Sequence, residues 1–142
     1  MSPAPAQRLE QLAERFRLPP GAPAQLERLL DVVASDPLAP TTVRDPAAAV
    51  EVHVADALVA LDLEPVRSAR WIADLGSGAG FPGLVLAAAL PHAEVSLVES
   101  AQRKCAFLER TVAAMGLDNV TVVCERAEAW AAGLGAQDVV TA

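Results

Sequence analysis

The sequence lacks the marks of several protein classes. No apolar run approaches the ~18 residues that a membrane-spanning helix needs, and the N-terminus lacks the basic-then-apolar pattern of a signal peptide. The two cysteines, Cys105 and Cys124, are too few for a disulfide framework, and their spacing fits neither a metal site nor a redox pair. We therefore expect a cytoplasmic protein without a membrane partner, in which both cysteines are reduced thiols.

Positive charge is also scarce. The chain carries 11 Lys and Arg against 18 Asp and Glu, a formal net charge of −7. A protein that binds nucleic acid on its own usually has a basic face, so this charge balance argues against nucleic-acid binding by this chain alone. RNA stays possible as a substrate that is held by parts of a protein outside this sequence. The sequence shows no nucleophile beside a base and no metal-ligand cluster, so we assign no catalytic residue and expect no metal.

Apolar residues, by contrast, are abundant in the sequence. It is 53% hydrophobic and 20% charged over 142 residues, which predicts one globular unit with a core of its own. Apolar residues at helical spacing predict one helix over residues 7–17 and a second that ends near Asp36. Residues 47–61 allow a strand through alternating valines, but their alanines and the spacing of Val50, Val54 and Leu58 favour a helix. Residues 1–69 are therefore predicted to be an N-terminal helical extension.

From residue 70 onward, strands alternate with helices. The predicted strands are Trp71–Leu75, Val95–Glu99, Val120–Cys124 and a fourth from Val139, and the predicted helices are Gly83–Leu90, Ala101–Met115 and Ala127–Ala132. This alternation predicts an α/β, doubly wound Rossmann-like domain over residues 70–142, with its ligand at the carboxyl ends of the strands. Because the sequence stops as strand 4 finishes, we expect an incomplete sheet from a longer chain. Its exposed strand 4 would then either self-associate or leave residues 133–142 disordered.

The most informative segment is Trp71 to Gly83, WIADLGSGAGFPG. A short apolar run, a glycine cluster and a helix follow one another, the order in which nucleotide-type cofactors are held. Gly76, Gly78 and Gly80 form G-x-G-x-G, which lets a ligand approach the backbone closely. Residues 78–83 also match the dinucleotide pattern G-x-G-x-x-G, so NAD is one alternative, and a tight turn without ligand is another.

Two details favour S-adenosylmethionine over NAD. Asp74 ends the first strand, where an acid can interact through water with the ammonium group of the methionine moiety. Pro82 opens the next helix and has no N–H to offer a pyrophosphate. Glu99 closes the second strand, where a carboxylate can accept hydrogen bonds from both ribose hydroxyls or instead cap the following helix.

The sequence does not decide the roles of two further groups of residues. Arg126, Ala127 and Glu128 follow the third strand, where a backbone N–H and a carboxylate could contact adenine or simply begin a helix. His53 and Asp56 lie three residues apart on one face of a predicted helix, and such a pair is either catalytic or structural.

The combined motifs resemble one family. Five segments occur in its order and spacing: Thr42–Pro46 (TVRDP), His53 with Asp56, Asp74–Gly83 (DLGSGAGFPG), Arg126–Glu128 (RAE) and Asp138–Ala142 (DVVTA). Together they resemble the RsmG (glucose-inhibited division protein B) family, bacterial methyltransferases that use S-adenosylmethionine to methylate N7 of a guanine in 16S ribosomal RNA. The resemblance implies that Gly76 and Phe81 line the cofactor site, that Ala127 and Glu128 contact the adenosine, and that Glu99 meets the ribose.

The sequence therefore yields one leading functional hypothesis and two others. The leading one is an S-adenosylmethionine-dependent methyltransferase whose substrate is 16S ribosomal RNA or the small ribosomal subunit. A cofactor-binding fragment without activity is the second, and an NAD-dependent oxidoreductase is the third.

Overall fold

The structure is a computed structural model that describes residues 2–133 and 135–142. The helices are α1 (Pro5–Phe16), α2 (Ala22–Ser35), α3 (Pro46–Ala49), α4 (Asp56–Leu58), α5 (Glu64–Arg67), α6 (Gly83–Ala89) and α7 (Gln102–Met115). The strands are β1 (Trp71–Leu75), β2 (Glu94–Val98), β3 (Val120–Val123) and β4 (Val139–Thr141).

The four strands form one parallel sheet in the order β3-β2-β1-β4. Helix α6 connects β1 to β2 and α7 connects β2 to β3, so these two parallel pairs are each joined through a helix, whereas β4 follows β3 in the chain and pairs with β1. This arrangement confirms the predicted α/β, Rossmann-like fold with an incomplete sheet. Strand β4 lies at the sheet edge, with Val140 57% exposed. Residues 139–141 form a strand, Leu134 lies outside the described residues, and the two alternatives of self-association along β4 or disorder of residues 133–142 stay predictions.

The helical predictions hold in outline and differ in detail. The ambiguous segment over residues 47–61 is helical, but its middle, Val50–Ala55, is a π-helical turn between α3 and α4. The short helix predicted over residues 127–132 is instead a pair of 3₁₀ turns, Ala127–Ala129 and Ala131–Gly133. Helix α7 ends where predicted, because Gly116 takes the left-handed conformation that closes it.

The N-terminal helices pack onto the sheet domain rather than standing apart from it. Helix α2 lies against α6 and α7, and one continuous buried cluster includes Leu29 of α2, Leu84 of α6 and Phe107 of α7. At the rim of this contact, the Arg110 guanidinium of α7 pairs with the Asp36 carboxylate at the end of α2, 3.0 Å away. The proposed boundary between residues 1–69 and 70–142 stays a prediction, and the two parts share their core.

The prediction for the cysteines is wrong. The structure joins Cys105 and Cys124 in a disulfide. Cys105 lies in the first turn of α7 and Cys124 directly follows β3, so the βαβ crossover brings their Cα atoms to 5.8 Å, within the range that a disulfide needs. Their separation of 19 residues carried no sign of this proximity, which depends on the packing of α7 against the sheet.

Among the described residues, no helix combines the length and the apolar character that crossing a bilayer requires.

Candidate functional site

The glycine loop between β1 and α6 presents bare backbone to open space. Gly76 and Gly78 have φ values of 67° and 56°, in the left-handed region that favours glycine. Among the atoms of the described residues, a Cβ built on Gly76 would meet none within 4 Å, and one built on Gly78 would meet only the Gly76 carbonyl oxygen, at 3.9 Å. The Gly76 and Ser77 N–H groups donate to the Val98 carbonyl, which fixes the loop to β2. The loop is therefore anchored to β2, and no side chain of residues 2–133 or 135–142 covers it at these two positions.

Asp74 lies beneath this loop and is almost fully buried. Its Oδ2 accepts a hydrogen bond from the Gly83 N–H at 3.0 Å, and its Oδ1 accepts one from the Thr141 hydroxyl at 3.0 Å. Burial raises the pKa of Asp74 to about 6, although these hydrogen bonds and the Ser77 hydroxyl lower it in part. The carboxylate thus joins the end of β1 to the start of α6 and to β4. Its predicted contact with a cofactor ammonium stays a prediction.

The first N–H groups of α6 are engaged within the protein. Pro82, at the position before the helix, has no N–H. The Gly83 N–H donates to Asp74, and the Leu84 N–H donates to the Gly80 carbonyl at 2.7 Å. The N–H groups with which a helix N-terminus usually binds a phosphate are therefore already engaged at the first two residues of α6. The Asp74 carboxylate lies beside them.

Glu99 has two structural partners in the described chain. Its Oε1 accepts a hydrogen bond from the Gly78 N–H at 3.0 Å, and its Oε2 accepts one from the Ala101 N–H at 2.9 Å, just before α7. Burial raises the pKa of Glu99, but the N–H groups of Ala101 and Gly78, with the positive charge of Lys104, bring the net pKa below its usual value. Each oxygen keeps a further lone pair, so the capping role and the predicted ribose role are compatible.

We expect Glu99→Gln to lower the affinity for S-adenosylhomocysteine by about tenfold, the effect of ~1.4 kcal/mol. A glutamine has one acceptor oxygen, so either the Gly78 or the Ala101 N–H would face an NH₂ group instead. Glu94→Gln, at the exposed start of β2, is the matched control and should leave the affinity unchanged. Calorimetric titration measures both variants, and equal affinities would contradict the role of Glu99.

Phe81 lies on the other side of the loop and stacks on His53. The two ring centroids are 4.2 Å apart and the planes differ by 6°. The His53 Nε2 lies 3.1 Å from the Val43 carbonyl oxygen and 3.3 Å from the Thr41 hydroxyl, and these two contacts orient the ring. His53 and Phe81 connect the helical N-terminal part to the glycine loop. Whether Phe81 lines a cofactor site stays a prediction.

Ala127 and Glu128 lie at a neighbouring cavity rather than in the hydrogen-bonded cluster. This apolar cavity, about 460 Å³, also borders Leu75 at the end of β1 and Val140 of β4. The structure thus places the β3–β4 connection beside the carboxyl end of β1, and the adenosine contact of Ala127 and Glu128 stays a prediction. Within the described residues, neither Ala127 nor Glu128 forms a hydrogen bond with the Glu99 carboxylate.

Two residues that position the site had no assigned role in the sequence. Thr141 donates to Asp74 from β4, and the Arg44 guanidinium donates to the carbonyls of Asp36, Pro37 and Ala39, at 2.6, 3.3 and 2.9 Å. Arg44 thereby holds the loop that leads into α3. Their membership of the quoted motifs was the only signal, because none of these four hydrogen bonds follows from local spacing.

Comparison with known proteins gives a consistent result. The family model described as GidB, rRNA small subunit methyltransferase G, matches residues 26–142. A ribosomal RNA small subunit methyltransferase G from Sorangium cellulosum is 47% identical over 105 residues, 72% of this chain and 44% of the relative. Proteins of the same name from Dichelobacter nodosus and Nitrosospira multiformis are 47% and 43% identical, over 63% and 71% of this chain and 42% and 45% of the relatives. The chain spans less than half the length of these relatives. With its open glycine loop, its Rossmann-like sheet and this match, the chain belongs to the rRNA small subunit methyltransferase G family.

Proposed function

We propose that the protein is an S-adenosylmethionine-dependent methyltransferase that acts on N7 of a guanine in 16S ribosomal RNA. The observation that carries the cofactor assignment is the glycine loop, open over Gly76 and Gly78 while the N–H groups at the start of α6 are engaged. The relatives' name supports the ribosomal RNA substrate.

The residues present fit S-adenosylmethionine. The open backbone at Gly76 and Gly78 would lie against the cofactor, Glu99 would accept hydrogen bonds from its ribose, and Ala127 with Glu128 would contact its adenine. When bound, S-adenosylmethionine supplies a methyl group activated by a sulfonium centre. Asp74 holds the loop in this open shape through the Gly83 N–H.

NAD fits the same loop less well, although residues 78–83 match its sequence pattern. A dinucleotide needs donors for its pyrophosphate at the helix N-terminus. Here Pro82 offers none, Gly83 and Leu84 donate within the protein, and the Asp74 carboxylate would repel a phosphate. These contacts support the methyltransferase hypothesis over the oxidoreductase hypothesis.

The proposed chemistry makes modest demands on side chains. Guanine N7 has a lone pair in the plane of its ring, so no base has to remove a proton before it reacts. The protein has to hold the target base in line and exclude water from it. The carboxylates of Asp74 and Glu99 accept hydrogen bonds from backbone N–H groups and hold the fold together. A site without a free general base is compatible with this chemistry.

Calorimetric titration with S-adenosylhomocysteine and with NAD tests the cofactor assignment. We expect binding of S-adenosylhomocysteine and none of NAD at the same concentration. Gly78→Val supplies the matched variant: the new side chain would project into the open space over the loop, in a backbone conformation that disfavours it, and should abolish binding. A preference for NAD, or no binding by the folded protein, would refute the assignment.

Transfer of a labelled methyl group tests the substrate assignment. The acceptors are small ribosomal subunits and free 16S ribosomal RNA that lack the modification, and cleavage at 7-methylguanine maps the product. We expect label at a guanine N7, from this chain or, where the gene continues past Ala142, from its longer product. Background-level transfer by both would leave the alternative of a cofactor-binding unit without activity.

A further inference from the structure

A second cavity lies at the same edge of the sheet and is used by neither Asp74 nor Glu99. Its volume is about 310 Å³, at the lower end of the range for small-ligand sites. It lies between the π-helical turn with α4 on one side and the glycine loop with the end of β4 on the other. Its lining includes His53, Asp56, Ala60, Phe81, Pro82 and Ala142. Ligands of open α/β sheets bind at the carboxyl ends of the strands, which is where this cavity opens.

One wall of the cavity is a preorganised aromatic surface. His53 and Phe81 stack face to face, and the His53 Nε2 lies within hydrogen-bond distance of the Val43 carbonyl and the Thr41 hydroxyl, which orients the imidazole. His53 belongs to the π-helical turn, a rare element that is frequent at functional sites. A planar base can therefore pack against a surface whose orientation is already set.

The carboxylate in the cavity belongs to Asp56. It lies at the start of α4, one turn after His53, and is exposed. Within residues 2–133 and 135–142, the Asp56 side chain has no hydrogen bond and no ion pair, unlike Asp74 and Glu99. Its two oxygens are free to accept from a ligand, and the fold does not depend on them.

Resting on the proposed function, we propose that Asp56 selects guanine as the methyl acceptor. Guanine presents two neighbouring donors, N1–H and the N2 amino group, on its Watson–Crick edge, and these match the two oxygens of one carboxylate. Adenine presents an acceptor at N1, which would face Asp56 unpaired. N7 lies on the opposite edge of the purine, so holding the Watson–Crick edge leaves N7 accessible. The base turns out of its stack and packs against the wall of His53 and Phe81.

The relative affinities of three nucleotides test the role of Asp56 without a measurement of methyl transfer. GMP, IMP and 7-methyl-GMP are titrated into the full chain saturated with S-adenosylhomocysteine. IMP lacks the N2 amino group, so GMP should bind about tenfold more tightly than IMP. This ratio corresponds to the lower part of the range of free energies by which one bidentate pair discriminates between bases. 7-Methyl-GMP should bind more tightly than GMP, because its purine is positively charged and its N1–H is a better donor.

Asp56→Asn should reduce the preference for GMP over IMP to near one and remove the advantage of 7-methyl-GMP. Asp62→Asn, at an exposed carboxylate outside the cavity, is the matched control and should keep both preferences. Equal preferences in Asp56→Asn and the unmodified protein would overturn the inference, as would no measurable GMP binding by the S-adenosylhomocysteine complex at millimolar concentration. Failure to bind S-adenosylhomocysteine would instead count against the proposed function itself.

Discussion

Replacing Gly83 with alanine is expected to destabilise the protein by at least ~1–3 kcal/mol, the usual cost of overpacking a core, and to abolish binding of S-adenosylhomocysteine. A Cβ at this position would overlap the buried Leu97 side chain and lie 2.8 Å from the Asp74 Oδ2. Asp74 cannot move away without losing the Gly83 N–H and the Thr141 hydroxyl. Because these hydrogen bonds hold α6 and β4 to the end of β1, the glycine loop would lose its shape.

Gly21→Ala is the matched control for this variant. Gly21 likewise lies at the start of a helix, directly before α2, but a Cβ there would meet no atom of the described residues within 4 Å and its φ is −81°. We expect a stability change of no more than about 0.5 kcal/mol for Gly21→Ala, as for most surface substitutions. Urea denaturation measures both variants. Equal stabilities would show that the close approach of α6 to Asp74 is not needed.

Asp74→Asn is expected to remove a large pH dependence from the stability of the protein. The pKa of Asp74 is raised from its ordinary value of 3.8 to about 6 in the folded state, chiefly by burial. The folded state therefore favours the protonated carboxyl, and this stabilisation is complete below the ordinary pKa and lost as the pH rises through about 6. A shift of this size corresponds to about 3 kcal/mol in the free energy of unfolding.

An asparagine at position 74 keeps both neighbours satisfied and does not titrate. Its oxygen can accept from the Gly83 N–H, and its NH₂ group can donate to the Thr141 hydroxyl, which rotates to accept. Between about pH 4 and about pH 7, the stability of Asp74→Asn relative to the unmodified protein should therefore rise by most of this ~3 kcal/mol.

Urea denaturation across this pH range is the measurement for Asp74. Contributions of other carboxyl groups, such as Glu99 with its lowered pKa, cancel in the comparison of the two proteins. Asp62→Asn, at an exposed carboxylate, is the matched control variant. If the free energies of unfolding of Asp74→Asn and the unmodified protein change with pH in parallel, then ionising Asp74 does not destabilise the folded state, and the prediction is contradicted.

The sequence by itself determined the features that depend on neighbouring residues. The bounds of β1 were predicted without error, and the other strands were placed within one residue at their predicted ends, because short apolar runs between glycine and proline signals form strands in most contexts. Gly116 marked the end of α7 through its ability to take a positive φ. The order of the motifs was enough to indicate the family, which the family model confirms.

Only the tertiary structure decided what each carboxylate does. Asp74 and Glu99 were both read from strand ends, yet one is buried among Gly83 and Thr141 and the other holds Gly78 and Ala101. The disulfide between Cys105 and Cys124 likewise required α7 to pack against β3. Such contacts join residues that are distant in sequence, and their partners are fixed by how the elements pack rather than by local propensity.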